Sequence, residues 1–421
     1  MTQTPPVATA PADGPADAGT GPARSPRRLG PVLATTHLSW ILPATGVATL
    51  TQARLGELGD AEKLTRFTVI AVAGSSTALI ANIAFGLISD RTRSRHGRRN
   101  PWILAGAAAS ATAVSAMSFT GSFPVLLALA VVYQVALNAM LSPLFAVLPD
   151  RVAPERMGRA SSWVGLGQLL GQSIGGASAG LLVTEPQLGM RWLPWITVLG
   201  GLLFFTTARD TPSTALPKEP FSWRAIGRSL LPPKDADYFW ALGGRMVALL
   251  GFYLVLVYQL YVLTDHLGLS TDESGPVIAL GGVLMAVSSA TSIAVCGPLS
   301  DRTGRRKPFI IAATAVCAAA VVPLVLTTSI WAFYTFILVG GLGYGCLIAV
   351  DQAVVSEVLP DQEHRAKDLG FLNIANTMPG LIAPLIAGLI VPAFGYPALF
   401  CVAIVLTLTG GLLILPIRRV A

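Results

Sequence analysis

Twelve apolar stretches of about 18 to 26 residues, separated by clusters of charge, limit what this chain can fold into. A helix rises ~1.5 Å per residue, so about 20 residues cross a hydrocarbon core ~30 Å thick. In lipid every backbone N–H and C=O must be paired within its own segment, which a helix achieves and an open strand does not. Only 12% of the 421 residues are charged and 53% are hydrophobic, against roughly 25% charged in a soluble domain. The expected fold class is an all-α membrane protein. Its spans fall at 31–52, 66–88, 101–120, 123–147, 161–184, 191–208, 237–263, 275–298, 308–328, 330–357, 368–391 and 395–416. Residues 1–30 lack an apolar run and read as a disordered cytoplasmic tail rather than a signal peptide.

The basic residues give the orientation. Of 29 Lys and Arg, 24 fall on one side of the alternating spans, four (Arg54, Lys63, Arg66, Arg191) on the other, and Arg245 lies within a span. Under the positive-inside rule this puts both termini in the cytoplasm, in an inner membrane. The same bias accounts for the net charge of +7, so the basic balance does not point to nucleic acid. Cys296, Cys317, Cys346 and Cys401 all sit in spans without paired spacing and read as packing residues. His37, His96, His266 and His364 are scattered, and no metal site is expected.

A repeat is written in the loops. Residues 86–102 read Gly-Leu-Ile-Ser-Asp-Arg-Thr-Arg-Ser-Arg-His-Gly-Arg-Arg-Asn-Pro-Trp, and residues 297–309 read Gly-Pro-Leu-Ser-Asp-Arg-Thr-Gly-Arg-Arg-Lys-Pro-Phe. Asp90 and Asp301 are 211 residues apart, as are Asp150 and Asp361 in the two Leu-Pro-Asp sequences. One offset at two landmarks divides the chain into related halves, 31–208 and 237–421, joined by a cytoplasmic linker at 209–236. Within that linker, Phe221 to Leu231 has the pattern of a short interfacial helix. The first copy of the loop is longer by about one helical turn, Arg93 to His96.

Gly-x-x-x-Asp-Arg-x-Gly-Arg-Arg in this position resembles the signature of the major facilitator superfamily, and the likeness covers nearly the whole chain. The lengthened first copy resembles the glycoside–cation symporters and sucrose transporters, as do Asn138, Pro143, Asp150 and Gly171-Gln172-Ser173-Ile174-Gly175. The resemblance implies two pseudo-symmetric six-helix bundles that move a small organic solute by alternating access, with spans one, four, seven and ten lining the pathway. It also implies a cytoplasmic latch holding the outward-open state. That role carries over to Gly86, Asp90, Arg91, Gly97, Arg98, Arg99 and Asp150, and to Gly297, Asp301, Arg302, Gly304, Arg305, Arg306 and Asp361. Asp90 and Asp301 sit at helix C-termini, where the macrodipole disfavours an acid, so each needs a cationic partner. Arginines that merely enforce topology are the plainer account.

An ionisable group inside a span costs about 2.5–3.5 kcal/mol on insertion scales, which makes Arg245 and Asp351 functional candidates. Both lie about 10–12 Å from the cytoplasmic boundary, at similar depth and with opposite sign. They read as a pair facing the cavity that binds solute or carries a proton; a permanent structural ion pair is the alternative. Hydrogen bonding and stacking on a polar solute are expected from His37, Trp40, Gln134, Asn138, Gln168 and Gln172, and from Tyr258 and Gln259 in span seven. For each alone, an interhelical hydrogen bond explains the residue equally well.

The chain departs from its resemblances in places. Sucrose transporters carry an acid about where Gln134 stands, and melibiose-type symporters have span-two acids that residues 66–88 lack. If a cation is coupled, a proton at Asp351 fits better than sodium. Gly158, Gly167, Gly171, Gly175 and Gly176 match the antiporter glycine spacing of drug exporters, with Gln172 in place of its proline. Proton-driven sugar or glycoside symport and proton-exchanging drug export therefore both stay open, with a non-transporting receptor or scaffold as a third reading. No nucleotide loop or catalytic constellation points to an enzyme, and no cofactor is expected beyond a proton gradient. One chain holds both halves, so a monomer suffices. Reporter fusions in the Asp90 and Asp301 loops are expected to fall on the same side of the membrane; opposite sides would overturn the twelve-span arrangement.

Overall fold

The computed structural model describes residues 29–59, 62–152, 156–214, 235–358 and 365–417. The tail 1–28, the interfacial helix expected at 221–231, Asp361 and the basic C-terminus lie outside the described residues. Among the described residues the structure is helical and contains no strand. The first half holds α1 (Leu29–Glu57), α2 (Lys63–Arg91), α3 (Asn100–Met117), α4 (Phe123–Arg151), α5 (Met157–Leu181) and α6 in two pieces (Pro186–Trp192, Trp195–Thr207). The second half begins with α7, made of Ala236–Leu256, Gln259–Tyr261 and a π-turn at Val262–His266. It continues with α8 (Thr271–Thr303), α9 (Lys307–Leu326) and α10 (Ile330–Val358). The run Arg365–Leu412 turns back at Gly395, φ +78°, into two arms, α11 and α12. By length and composition eight helical segments can cross a membrane, one of them holding parts of both arms. Of the twelve, α1, α3 and α5 fall outside that set; they are rich in Ala, Gly, Ser and Thr and pack tightly on their neighbours.

Lipid tails are as apolar as leucine, so helices in a bilayer associate through close packing rather than water exclusion. Helix α5 shows how the sequence arranges this. Gly167 and Gly175 sit against the backbone of Ala34 and Leu42 in α1, leaving no room for a Cβ. One position further round, Gly176 and Gly180 meet Gly282 and Gly275 of α8, across the boundary between halves. A Cβ at Gly275 would lie 2.6 Å from the Gly180 carbonyl. The halves therefore touch backbone to backbone at this crossing.

Hydrogen bonds joining the halves cluster at the end of the bundle away from the arginine-rich loops. Gln52 donates to the Val257 carbonyl at 2.6 Å, Gln259 to Thr49 Oγ1 at 3.1 Å, and Ser75 to the Gly380 carbonyl at 3.2 Å. Towards the arginine-rich face the exposure changes. Ile293, Ala294 and Val295 of α8 are all exposed, and three successive residues cover about 200° of a helix. More than half of the circumference of α8 is therefore uncovered there.

The repeated loops build one device twice. In the first half Arg99 reaches Asp90 at 2.6 Å, Asp150 at 3.0 Å and Ser89 Oγ at 2.6 Å. Arg98 adds a bond to Asp150 at 2.8 Å. In the second half Arg306 reaches Asp301 at 2.6 Å and Ser300 Oγ at 2.9 Å. Gly97 and Gly304 precede these arginines with φ of +83° and +65°, a conformation costly for any residue with a Cβ. The extra turn of the first copy has its own occupant. Ser213 donates to the Thr92 carbonyl at 3.0 Å and accepts from the Ser94 amide at 3.0 Å, while Asp210 pairs with Arg151 at 2.8 Å. The start of the linker is thus docked onto the longer loop, with the Asp210 side chain lying where a Gly97 Cβ would stand.

Open space surrounds Gly304 by the same measure. Gly97→Ala is therefore expected to cost more than Gly304→Ala, about 1 kcal/mol of backbone strain plus the displacement of Asp210. The check is the thermal midpoint of each variant in detergent; equal losses would contradict the docking account.

Candidate functional site

The pathway candidates are best followed helix by helix. On α2, Thr68, Ser75 and Asn82 recur every seven residues and so share a face. Thr68 shares a 2.9 Å hydrogen bond with Tyr258, and Ser75 bonds Gly380, so this face meets the other half. Asn82 continues it toward the arginine-rich face, where its Nδ2 donates to Asn138 Oδ1 at 3.3 Å. Asn138 in turn donates to the Gln134 carbonyl at 2.9 Å, and Gln134 rests half-buried over Gly74. The amides of α2 and α4 thus form one connected group. Asn82 is absent from the sequence-level candidates, although its heptad relation to Thr68 and Ser75 is visible in the sequence.

On α5, Gln172 and Gln168 stand one and two turns before Gly176, on the stripe that packs against α8 further along. Gln172 is exposed and Gln168 half-buried. On α1, His37 is buried and its Nδ1 accepts from Trp40 Nε1 at 3.3 Å. Phe145 of α4 closes the group, with ring centroids 5.6 Å from His37 and 6.2 Å from Trp40. Amides on one side and an aromatic pair on the other give the first half donors, acceptors and stacking surface without a carboxylate.

Two expectations need correcting. Tyr258 and Gln259 do not line an open cavity. Tyr258 is fully buried, edge-on to Phe67 at 5.3 Å, and its hydroxyl lies 3.3 Å from the Pro384 carbonyl. Gln259 bonds Thr49 in the same seam. The halves are closed at this end, so both residues act as contacts between them. The second correction concerns Arg245 and Asp351. The structure brings them into a direct ion pair, only 6% and 4% exposed, but not facing the space between halves. They sit in the second half's own core, where Trp240, Ile310, Leu347, Val354, Gly410 and Ile414 surround a cavity of about 10 Å³. Asp351 shares its stripe with Leu347 and Val354 at i−4 and i+3, which turns it toward α9 and α12.

The repeat offset gives the comparison. Moving back 211 residues takes Asp351 to Met140 and Arg245 to Ala34. Met140 is fully buried in a wholly apolar cluster with Leu33, Ile103 and Phe204. One half thus fills this place with a methionine and the other with an ion pair. Two charges taken out of water are held by each other, and a cavity of this size admits about one water molecule. Among the described residues Arg245 Nε has no hydrogen-bond partner.

Twelve helices in two bundles, meeting at one end through glycine and a few polar bonds, make a polytopic membrane protein. The family model described as Major Facilitator Superfamily matches residues 38–295 and 286–421, and the chain belongs to that superfamily. It is 30% identical over 183 residues to "Inner membrane transport protein YajR" of Escherichia coli (strain K12), which is 43% of this chain and 38% of that protein. Over 131 residues it is 33% identical to "Multidrug resistance protein MdtL" of Shewanella sp. (strain ANA-3), or 31% and 33% of the two chains. The matched stretches thus span about a third of those curated relatives. Among solved structures it is similar to the nucleoside transporter NupG, with a TM-score of 0.70 at 12% identity, covering 93% of this chain and all of that one. The human organic anion transporter MFSD10 gives 0.67 at 17% identity, covering 92% and 99%. At such identities these structures speak for the fold alone.

Removing one member of a buried ion pair costs about 3–5 kcal/mol, because the other charge is left alone. Asp351→Asn is expected to lower the thermal midpoint strongly. Arg245→Ala with Asp351→Met, which copies the first half, is expected to recover most of the loss. A double variant as unstable as the single one would contradict the reading of the pair as interchangeable with an apolar core.

Proposed function

We propose that this protein is a secondary active transporter of the cytoplasmic membrane, working by alternating access as a monomer with both termini inside. In this reading the arginine-rich face is cytoplasmic, and the structure is the inward-open state. The carrying observation is the change of exposure along α5 and α8: they touch through bare glycine backbone at Gly176, Gly180, Gly275 and Gly282, yet expose Gln172 and Ile293 to Val295 toward the arginine-rich face. The Asp90–Arg99–Asp150 and Asp301–Arg306 clusters serve as the latch of the outward-open state. Here they are held within their own halves, ready to be offered across when the cytoplasmic side shuts.

The solute is a small neutral organic molecule with hydroxyl or amide groups and a ring face. Gln134, Asn138, Gln168 and Gln172, with Asn82, supply hydrogen bonds to it, and Trp40 with His37 supplies a surface for stacking. The lengthened Asp90 loop, like that of glycoside–cation symporters, favours a glycoside among such solutes. Coupling is to protons through Asp351, the carboxylate buried in the second half beside a water-sized cavity. Coupling requires the cycle to part Asp351 from Arg245. A second reading, export of a drug or metabolite in exchange for protons, draws support from relatives named as a multidrug resistance protein and as drug efflux pumps.

Purified protein screened by thermal shift against glycosides, nucleosides and amphipathic drugs identifies a ligand, since a binder raises the midpoint with occupancy. With that ligand, Gln172→Ala is expected to weaken binding about three- to tenfold, the worth of one hydrogen bond. Uptake into proteoliposomes under imposed pH gradients separates the two readings, because symport and exchange are accelerated by opposite gradients. Asp351→Asn flux that still follows the gradient would remove Asp351 from the coupling.

A further inference from the structure

The extra turn of the first loop, Arg93 to His96, has no equivalent in the second copy and stands apart from the residues assigned to the latch. It is held from within by Ser94. The Ser94 amide donates to Ser213 Oγ at 3.0 Å, and its carbonyl accepts from the Gly97 and Ser213 amides, each at 3.1 Å. Its hydroxyl accepts from the His96 amide at 3.1 Å. With Ser94 fixed in this way, Arg93 and Arg95 on either side of it are exposed, as is His96.

Two aromatic contacts set the depth of the turn and the side on which it lies. Trp102, at the start of α3, donates from Nε1 to Thr92 Oγ1 at 2.7 Å, next to the turn. Tryptophan concentrates at the level of lipid headgroups. His96 lies over Phe205 of α6, with ring centroids 5.1 Å apart. Helix α6 packs on α1 and α3 and is apolar enough to span a membrane. Its exposed residues Leu199, Leu202, Leu203 and Thr206 recur at intervals of three and four, one stripe turned away from those neighbours toward lipid. Arg209 is exposed just beyond the end of the same helix.

Positive charge here is in excess. Among the described residues Asp90 is engaged by Arg99, Asp150 by Arg98 and Arg99, and Asp210 by Arg151. None of these acids pairs with Arg93, Arg95 or Arg209. Membrane orientation asks for positive charge on this face. It does not ask for a turn pinned by the linker, seated on a lipid-facing helix, with its arginines held outward at headgroup level.

We propose that the extra turn, Arg209 and the outer face of α6 form a binding site for an anionic phospholipid of the leaflet on the arginine-rich side. Guanidinium groups match phosphate oxygens with paired N–H donors, and basic residues this close to an anionic surface each add to the attraction. The headgroup phosphate would lie among Arg93, Arg95 and Arg209, with a ring N–H of His96 beside it. One acyl chain would follow Leu199, Leu202 and Leu203. Arg209 begins the linker, so the lipid would fasten the start of the linker to the turn from outside, as Asp210 and Ser213 do from inside. The site stands whichever way the solute moves.

The test uses the full chain, delipidated in a neutral detergent and titrated with phosphatidylglycerol, with bound lipid counted by native mass spectrometry. Phosphatidylglycerol should bind more tightly than phosphatidylcholine. Arg93→Gln with Arg95→Gln should weaken phosphatidylglycerol about tenfold and leave phosphatidylcholine unchanged, the loss of two headgroup charges partly screened by salt. Lysine at both positions should keep most of the affinity. Arg209→Gln, which leaves the turn intact, should cost about three- to fivefold. The matching charge loss in the second loop, Arg302→Gln with Arg305→Gln, should leave the affinity near its original value. Folded protein with both glutamines that binds the lipid as before overturns the proposal. So does an equal loss from the second-loop variant, which would reduce the turn to general positive charge. Glycerol phosphate, which has the headgroup without acyl chains, should bind about a hundredfold more weakly; equal binding would make this a soluble-anion site and end the lipid assignment.

Discussion

A backbone inside hydrocarbon has no water to bond with, and every other feature of this protein follows from that constraint. It forces the chain into helices and removes water exclusion as the force between them. What remains is close packing, so the seam between halves is made where side chains vanish. Gly176 and Gly180 on α5 meet Gly282 and Gly275 on α8. Contacts of this kind hold through dispersion alone and can be made and broken without leaving a buried polar group unpaired. A carrier that alternates needs such a boundary.

The same constraint dictates where charge can stand. Among the described residues it is confined to helix ends or to tight pairs. The repeated loops place Arg99 between Asp90, Asp150 and Ser89, and Arg306 between Asp301 and Ser300. In each half the serine and aspartate come from the end of one helix and the arginine from the start of the next, so the loop is tied to both. Gly97 and Gly304 permit the turn that aims the arginine back. The geometry is a product of duplication, and its copies have kept the chemistry.

Departures from the duplication mark where the halves do different work. The longer first loop receives the start of the linker through Ser213 and Asp210. Helix α7 is broken where α1 is not, and there Gln52, Lys63 and Tyr261 join the halves. Met140 in one core is answered by Asp351 and Arg245 in the other. An apolar core would pack as well or better. The second core thus holds a buried charge pair, beside room for a water molecule, where the first is wholly apolar.

The rods and their number, and the duplication, were legible in the sequence, because apolar length, a fixed rise per residue and a repeated motif are all local properties. Asp90, Arg99, Asp301 and Arg306 could be read as a cluster because their spacing is local and their glycines are fixed by backbone geometry. Rotation could not be read. Helix α10 is apolar on nearly every side, so nothing in its pattern told which way Asp351 faced, and the core of the second half claimed it. The place of Tyr258 and Gln259 depended on which end of the molecule is closed, a matter of how two bundles lean rather than of any residue. The π-turn at Val262–His266 leaves no local signature either. Its Asp265 meets Lys63 of α2 and Tyr396 of α12, partners far away in the sequence. Local geometry belongs to the sequence; facing, closure and strain are settled only when distant helices meet.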